Sequence, residues 1–343
     1  MSLVASTGRM GLLLGLAAIG VLSPLVHVSA QPATRTIERL DPALDALIAA
    51  DAKIELLAYG FDWTEGPVWN KAKAYLLFSD IPRNAILRWK EGQGVSVYMR
   101  PAGYTGTTPF GRELGSNGLT FDANGALVMA DHGNRQVSRV DSMTFTKTVL
   151  ADRYNGKRFN SPNDVVFSRA GDLFFTDPPY GLAKLNDDPA KELDFNGVYR
   201  LSAAGKLTLL TRELTFPNGI ALSPDERTLY VAVSDPARPV WMAYDLREDG
   251  TLAKGRVFFD ASALAEAGRQ GLPDGMKVDG AGNLFASGPG GILVFSPQGK
   301  HLGTIATGEI TANCAFGDDG STLYMTANHT LMRVRLKTRG PGF

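Results

Sequence analysis

Apolar and polar positions along this chain follow a short unit that occurs six times. Each unit begins with a residue that carries an oxygen in its side chain, passes through a small or turn residue into an apolar stretch, and turns into a second apolar strand. The six units begin at Glu65, Asn117, Asn163, Asn218, Asp274 and Asn313. Alternation and turn signals fill most units to four strands. The pattern therefore predicts a series of four-stranded blades.

The spacing of the units indicates how these blades are arranged. Their first residues are 39 to 56 residues apart, as expected for the repeating units of a β-propeller. The sixth unit lacks its last strand, because the chain ends soon after residue 336. The apolar run at 54–59 is expected to supply that strand, which leaves no long open edge. We therefore predict an all-β fold, a six-bladed β-propeller of four-stranded blades whose last blade is closed by an N-terminal strand.

The first 53 residues differ from the repeating part of the chain. Residues 1–30 combine Arg9, an apolar run at 11–22 and the small residues VSA before Gln31, which is typical of a cleaved signal peptide. A membrane anchor is the alternative, although the run is short for a spanning helix. Residues 31–53 are predicted to be an N-terminal extension with a short helix at 41–52 outside the blades, and 54–343 a single propeller domain. We expect a secreted, periplasmic protein.

Charge and cysteine content narrow the function classes. The chain has 35 basic and 35 acidic residues, and such a balance disfavours nucleic acid as a partner, because that partner requires a basic face. No membrane partner is expected after signal cleavage, and the oligomeric state is left open. The single cysteine, Cys314, excludes an intramolecular disulfide and is predicted to be a buried, small apolar side chain.

The first residues of the six units suggest a metal site. If the units are arranged radially, two carboxylates and four amides meet near one axis. An all-oxygen set of this kind suits Ca²⁺, whereas the lack of histidine and cysteine disfavours a dedicated zinc site. Asn-Gly and Asp-Gly pairs are also ordinary turn formers, so each residue taken alone has a local structural explanation. The six residues in register favour the metal site.

Four motifs carry a resemblance to a known family. They are EGPVW at 65, SPNDVVFS at 161, PNGIALS at 217 and PDGMKVD at 273, and they resemble motifs of the gluconolactonase, senescence marker protein 30 and luciferin-regenerating enzyme family over residues 54–336. The resemblance implies a six-bladed propeller with a divalent cation, commonly calcium, in the central channel. Carried over by motif, the ligands would be Glu65, Asn163, Asn218 and Asp274. Mg²⁺, Mn²⁺ and Zn²⁺ are alternatives to Ca²⁺ as the single divalent cofactor.

Further motifs look like the bacterial gluconolactonase branch, among them NGKRFNSPND from Asn155. The animal relatives carry arginine where this chain has Ser161, so orientation of substrate by that arginine cannot be assumed. The predicted function is a metal-dependent hydrolase that opens a sugar lactone, such as a gluconolactone-like aldonolactone, by attack of a metal-associated water. Asp274 is the predicted general base, and a metal-activated water without a protein base is the alternative.

Two other functions stay open at the level of sequence. Phosphotriesterase and paraoxonase propellers look similar in layout, so a phosphotriesterase or arylesterase on the same metal is one of them. The other is a non-catalytic extracytoplasmic binding scaffold with a structural metal.

The substrate is predicted to contact four further residues, namely Asn117, Asn313, His132 and Tyr180. The two asparagines would line the channel, and His132 follows a second strand near the rim, where a plain turn histidine is the alternative. Two long segments, 101–115 and 178–195, are predicted lids or binding loops, with tolerated insertions as the alternative.

Overall fold

The structure is a computed structural model that describes residues 34–108 and 110–343. In this part of the chain the backbone forms six antiparallel sheets, which we call blades 1 to 6 in chain order. The innermost strands of successive blades contact each other, and the innermost strand of blade 6 contacts that of blade 1. This closed ring confirms the predicted six-bladed β-propeller.

The strands of each blade follow one another from the centre of the ring outwards. Blade 1 consists of Thr64–Asn70, Tyr75–Asp80, Ala85–Lys90 and Gly94–Met99, and blade 2 of Leu119–Phe121, Leu127–Asp131, Gln136–Val140 and Lys147–Ala151. Blade 3 consists of Val165–Phe167, Leu173–Asp177, Gly197–Leu201 and Leu207–Thr211, and blade 4 of Pro217–Leu222, Thr228–Val233, Val240–Asp245 and Arg256–Asp260. Blade 5 contains Met276–Val278, Leu284–Gly288, Gly291–Phe295 and His301–Ala306, and blade 6 contains Thr311–Gly317, Thr322–Ala327 and Thr330–Arg335.

The outer strand of blade 6 comes from the N-terminal side of the domain. Ile54–Tyr59 pairs antiparallel with Thr330–Arg335, with Ile54 opposite Val334 and Tyr59 opposite Thr330. The ring is therefore closed by strands from both ends of the chain, which confirms the predicted closure. Such pairing ties the two ends together and covers the edge that blade 6 would otherwise expose.

The extension before this strand belongs to the propeller more closely than the sequence suggests. Thr36–Arg39 adds a fifth strand to blade 5 by pairing with His301–Ala306. The helix predicted at 41–52 is only one 3₁₀ turn, Pro42–Ala46, capped by the Asp41 side chain. Leu44 and Ile48 are fully buried against blades 5 and 6. The extension therefore adds to blade 5 a strand that the sequence did not predict, and its helical turn packs against blades 5 and 6.

The hydrophobic core lies between neighbouring blades. Each interface holds one cluster of buried side chains, such as Leu77 and Ile86 of blade 1 against Leu119 and Met129 of blade 2. The inner strands are buried on both faces, as in Tyr75–Asp80, whereas outer strands such as Gly94–Met99 are largely exposed. This explains why the repeated unit shows continuous apolar stretches rather than strict alternation.

Little regular structure lies outside the blades in the part of the chain that is described. A small hairpin pairs Arg153–Tyr154 with Lys157–Arg158, and a 3₁₀ turn spans Leu185–Asp187. A short α-helix spans Ser262–Glu266. No helix among the described residues has the length and apolar character needed to cross a membrane. The predicted signal peptide at 1–30 falls outside the described residues.

Candidate active site

The first residues of the six units form a ring at one end of the central channel, and we call them the axial residues. Five of them are buried, with exposed fractions of 2 to 5%: Glu65, Asn117, Asn163, Asn218 and Asn313. Asp274 is the axial side chain that is partly exposed. It therefore has the best access to a molecule that enters the channel.

Glycines bring neighbouring axial residues together. A Cβ atom at Gly66 would lie 2.1 Å from the carbonyl oxygen of Asn117, and one at Gly219 would lie 2.2 Å from that of Asp274. Only Gly66 of these two has a positive φ, 51°. The Asn-Gly pair at 218–219 is therefore no turn. Its glycine is required for the close approach of two blades, which removes the turn-former explanation at this position.

Irregular pairing and hydroxyl groups complete the ring. The innermost strands of blades 1 and 4 have register shifts directly after Glu65 and around Asn218, and bulges of this kind redirect side chains. Ser79 donates a hydrogen bond to the carbonyl of Asn117 (2.8 Å), and Thr176 donates one to the carbonyl of Asn218 (2.6 Å). The second strands of blades 1 and 3 thereby hold the axial residues of blades 2 and 4.

Hydrogen bonding to Ser234 fixes the side-chain amide of Asn218. The Ser234 hydroxyl donates to the carbonyl of Pro273, so it accepts from Asn218 Nδ2 at 2.9 Å. This arrangement fixes the Asn218 amide, whose Oδ1 is buried and has no partner among the described residues. Asn117 Oδ1 is likewise buried and unpaired there. Unpaired buried acceptors are costly, and a bound cation would satisfy both.

Glu65 and Asn313 form a pair across the junction between blades 1 and 6. Oε2 of Glu65 accepts hydrogen bonds from the Gly66 backbone N–H (2.8 Å) and from Asn313 Nδ2 (3.2 Å). Asn313 Oδ1 in turn accepts from the Cys314 backbone N–H at 2.8 Å. The Asn313 amide is thus occupied by protein groups. It orients Glu65, whereas the sequence assigned it to substrate contact.

Four carboxylates influence one another at this end of the channel. Burial raises the pKa of Glu65 well above its usual range, and the carboxylates of Asp164 and Glu113 raise it further. The pKa of Asp274 is raised by burial first, and then by Glu65, Asp164 and Glu113. This concentration of negative charge disfavours full ionisation of the set. A divalent cation would relieve that repulsion.

Asp164 was missed by sequence reasoning. Its buried carboxylate accepts backbone hydrogen bonds from Val165 (2.9 Å) and Ile220 (3.3 Å), which links blades 3 and 4. Burial raises its pKa, while Lys277 on the far side lowers it. The signal was present in the sequence, because Asp164 follows Asn163 where four of the other five units have glycine.

Two more aspartates were missed, at the ends of second strands. Asp177 accepts hydrogen bonds from the backbone N–H groups of Asn160 (2.9 Å) and Ser161 (2.8 Å). Asp80 contacts the N–H groups of Asp62 and Trp63 at 3.3 Å in the equivalent position. These bonds hold the segments that lead into Asn163 and Glu65. The endings FSD, MAD and FTD of the first three units carried this signal.

The structure places Tyr180 beside the ring and His132 behind it. The Tyr180 ring stacks on Phe216 at 5.8 Å, and its hydroxyl is buried without a partner among the described residues. Burial raises its pKa, with contributions from Asp274 and Glu113, so it stays a hydrogen-bond donor. His132 is fully buried. Tyr180 is thus partly exposed and His132 is not, and the predicted substrate contacts of both stay predictions.

Ser161 and Cys314 have structural contacts. Ser161 Oγ donates to the carbonyl of Pro178 (2.6 Å) and accepts from the Gly181 N–H (2.9 Å), so it anchors the segment 178–195. Cys314 is a fully buried free thiol whose pKa burial raises to about 12. It is a small apolar core residue, as predicted, and not a nucleophile at neutral pH.

The residues of the ring fit a hard cation. They offer the carboxylates of Glu65 and Asp274 and the amide oxygens of Asn117, Asn163 and Asn218. Among residues 34–108 and 110–343, no group of three or more His, Cys, Asp or Glu side chains is arranged to hold a metal ion. A cation at this site would therefore depend on amide oxygens, which Ca²⁺ accepts and Zn²⁺ seldom uses.

Comparison with known proteins places this site in a family. Residues 63–329 match the family described as SMP-30/Gluconolactonase/LRE-like region. The chain is 45% identical over 315 residues to a gluconolactonase of Zymomonas mobilis, covering 89% of this chain and 87% of that protein. It is 26% identical over 248 residues to a diisopropyl-fluorophosphatase of Loligo vulgaris, covering 68% of this chain and 75% of that protein.

A solved structure agrees with this relationship. It is a gluconolactonase from Xanthomonas campestris that is described as important in glucose secondary metabolic pathways. The superposition has a TM-score of 0.76 at 33% identity and covers 90% of this chain and 96% of that one. The propeller, its motifs and these matches identify the chain as a member of the SMP-30/gluconolactonase/luciferin-regenerating enzyme family.

Proposed function

We propose that this protein hydrolyses the ester bond of a sugar lactone at the ring of axial residues, with a bound divalent cation. The observation that carries the proposal is the buried, unpaired amide oxygen of the ligand candidate Asn218 in the ring that also holds the carboxylates of Glu65 and Asp274. The 45% identity to a gluconolactonase supports the choice of a lactone. Glu65, Asn163, Asn218 and Asp274 are the proposed ligands, and Ca²⁺ is the proposed cation.

Different side chains around the channel have different proposed functions in hydrolysis. When bound, the cation supplies electrophilic polarisation of the lactone carbonyl. Asp274 is the partly exposed carboxylate of the ring, and it is the proposed base that accepts a proton from the water that attacks the carbonyl carbon. The C–O bond of the ring then breaks, and the leaving alkoxide takes the proton that Asp274 had accepted from the water. Tyr180 presents its hydroxyl beside Asp274 as a donor to the substrate.

The supporting groups keep this arrangement rigid. Asn313 fixes Glu65, Ser234 fixes Asn218, and Asp177 fixes the segment before Asn163. Such preorganisation lets a polar site act without rearranging during the reaction.

Hydrolysis of phosphotriesters is a second candidate. The similarity to the Loligo vulgaris diisopropyl-fluorophosphatase favours it, and the same oxygen ligands would orient a phosphoryl oxygen as well as a carbonyl oxygen. A substrate comparison distinguishes the two functions, because the lactone and the phosphotriester share the site but not the reacting bond.

The deciding experiment uses the whole protein stripped of metal by a chelator and then supplied with Ca²⁺, Mg²⁺, Mn²⁺ or Zn²⁺. We expect hydrolysis of D-glucono-δ-lactone, measured in a pH-stat and corrected for the spontaneous rate, to be lost on stripping and restored by Ca²⁺. Turnover of paraoxon in preference to the lactone would overturn the lactonase proposal. Activity that survives complete stripping, or returns only with Zn²⁺, would overturn the calcium site.

A further inference from the structure

Glu113 is an acidic residue at the channel mouth that the proposed ligand set does not use. It belongs to the segment 101–115, which lies between blades 1 and 2, and its side chain is 27% exposed. After burial and the two nearer carboxylates, Glu113 contributes to the raised pKa of Asp274, and it also acts on Tyr180. Its charge therefore faces the same space as the proposed base and the proposed substrate donor.

His132 contacts the Glu113 carboxylate. His132 Nδ1 lies 3.1 Å from the carbonyl oxygen of Pro162, and because a carbonyl can only accept, Nδ1 carries a hydrogen. The other ring nitrogen, Nε2, lies 3.1 Å from Glu113 Oε2. This contact keeps Glu113 in place.

The segments 101–115 and 178–195 contact each other beside His132 and Glu113. The Arg112 backbone N–H donates to the carbonyl of Gly181 at 3.3 Å, so the segments 101–115 and 178–195 meet next to the site. A Cβ atom at Gly181 would lie 2.7 Å from Ser161 Cβ and 2.9 Å from His132 Cδ2. The backbone therefore closes tightly against His132. Rigid support of this kind is what a specificity contact needs.

One oxygen of Glu113 is left for a ligand. Oε2 faces His132, whereas Oε1 makes no hydrogen bond to any described residue. A carboxylate accepts hydrogen bonds strongly and donates none, so the matching ligand group is a hydroxyl or another donor. A polyhydroxylated lactone ring carries several hydroxyls around its reacting carbonyl. An unsubstituted lactone carries none.

We propose that Glu113 accepts hydrogen bonds from the ring hydroxyls of the substrate and selects polyhydroxylated lactones over unsubstituted ones. His132 is its positioning residue. The proposal rests on the lactonase function above and adds the residue that recognises the part of the substrate away from the reacting bond. A site built to bond a hydroxyl discriminates against an analogue without it, because the analogue leaves its acceptor without that hydrogen bond.

The test compares two lactones on the full-length protein. We expect Glu113→Ala to lower kcat/KM for D-glucono-δ-lactone by about 10- to 100-fold, the loss that follows from removing a hydrogen bond to a charged group. The kcat/KM for δ-valerolactone should change by less than about threefold, since that lactone makes no such bond. Glu248→Ala, which removes an exposed carboxylate from blade 4, is the matched control and should leave both values unchanged.

His132→Ala tests the positioning role through the ratio of the two kcat/KM values. A general loss of folding or of the cation would lower both values and leave the ratio unchanged, whereas misplacement of Glu113 lowers the ratio. The double variant should have the same ratio as Glu113→Ala, because the two residues act as one unit.

Three results would overturn the inference. They are an equal loss for both lactones in Glu113→Ala, no loss for either, and a wild-type protein that hydrolyses δ-valerolactone but not the sugar lactone. A wild-type protein that hydrolyses neither lactone would overturn the lactonase function itself, and the inference with it. The wild-type measurement therefore separates failure of the function from failure of the specificity contact.

Discussion

Replacing Gly219 by alanine tests whether the glycines beside the axial residues set the geometry of the site. The new Cβ would lie 2.2 Å from the carbonyl oxygen of Asp274 and 2.8 Å from its carbonyl carbon. A normal carbon–oxygen contact is about 3.3 Å, so blades 4 and 5 must separate by about 1 Å to admit the methyl group. Both partners are backbone atoms, and no side-chain rotation can relieve the contact.

The expected cost has a structural and a functional part. Overpacking of this kind destabilises a protein by about 1–3 kcal/mol, which for a domain of this size lowers Tm by roughly 2–10 °C. The same displacement separates Asn218 from Asp274, two proposed ligands. A misplacement of about 1 Å at a reacting centre costs on the order of 100-fold in rate. We therefore expect kcat/KM for D-glucono-δ-lactone to fall about 100-fold in Gly219→Ala.

Gly280→Ala is the matched control. It follows the innermost strand of blade 5, and the nearest atom to its added Cβ is the Arg339 carbonyl oxygen at an ordinary 3.6 Å. Thermal unfolding should shift by less than about 2 °C, and lactone hydrolysis should be unchanged. A Gly219→Ala protein with the Tm and kcat/KM of the wild type would refute the argument. The residue would then be a turn glycine of no special importance to the ring.

Three further predictions concern the acidic residues and the cation. Asp274→Asn should abolish lactone hydrolysis with an unchanged circular dichroism spectrum, whereas the exposed control Asp245→Asn should stay active; near wild-type turnover in Asp274→Asn would remove it from the mechanism. Addition of Ca²⁺ to the metal-stripped protein should raise its Tm, and the rise should depend on the Ca²⁺ concentration. Asn218→Leu should abolish this rise. An equal rise in both proteins would place the cation elsewhere. Burial raises the pKa of Asp177 to about 7 from 3.8, so the folded state keeps a proton that the unfolded chain releases. The free energy of unfolding should therefore fall between about pH 4 and pH 7, by at most about 4 kcal/mol. In Asp177→Asn the midpoint of urea unfolding should change less with pH than in the wild type. Equal pH dependence of the midpoint in both proteins would count against this pKa.

The repeated unit made the fold predictable. Alternation and turn residues are local signals, so the four-stranded unit was predictable, and in blade 2 it ends with the strand Lys147–Ala151. The closing strand at 54–59 was predictable because a unit without its last strand needs a partner. The strand Thr36–Arg39 was not, since four residues carry too little pattern and only the free edge of blade 5 selects them.

The candidate site was predictable in part. The six axial residues could be named, because each begins the same unit. The function of Asn313 could not be deduced, because the carboxylate that takes up its amide lies 248 positions away in sequence. Asp164 and Asp177 had a visible signal in the repeat that was not used. Glu113 had none, because it lies in an irregular connection whose path depends on contacts with blade 2 and with the segment 178–195.

The sequence by itself determined the blades, the way the ring closes and the ring of oxygen-bearing residues, since these follow from periodicity and from residue types repeated in register. Only the tertiary structure decided which oxygens are free. Asn218 Oδ1 has no partner among the described residues, since Ser234 accepts from Nδ2 and donates to Pro273, while Asn313 donates to Glu65. Hydrogen bonds between residues far apart in the chain require donor and acceptor to be positioned to within a few tenths of an ångström. Those distances exist only once the six blades have packed around the channel.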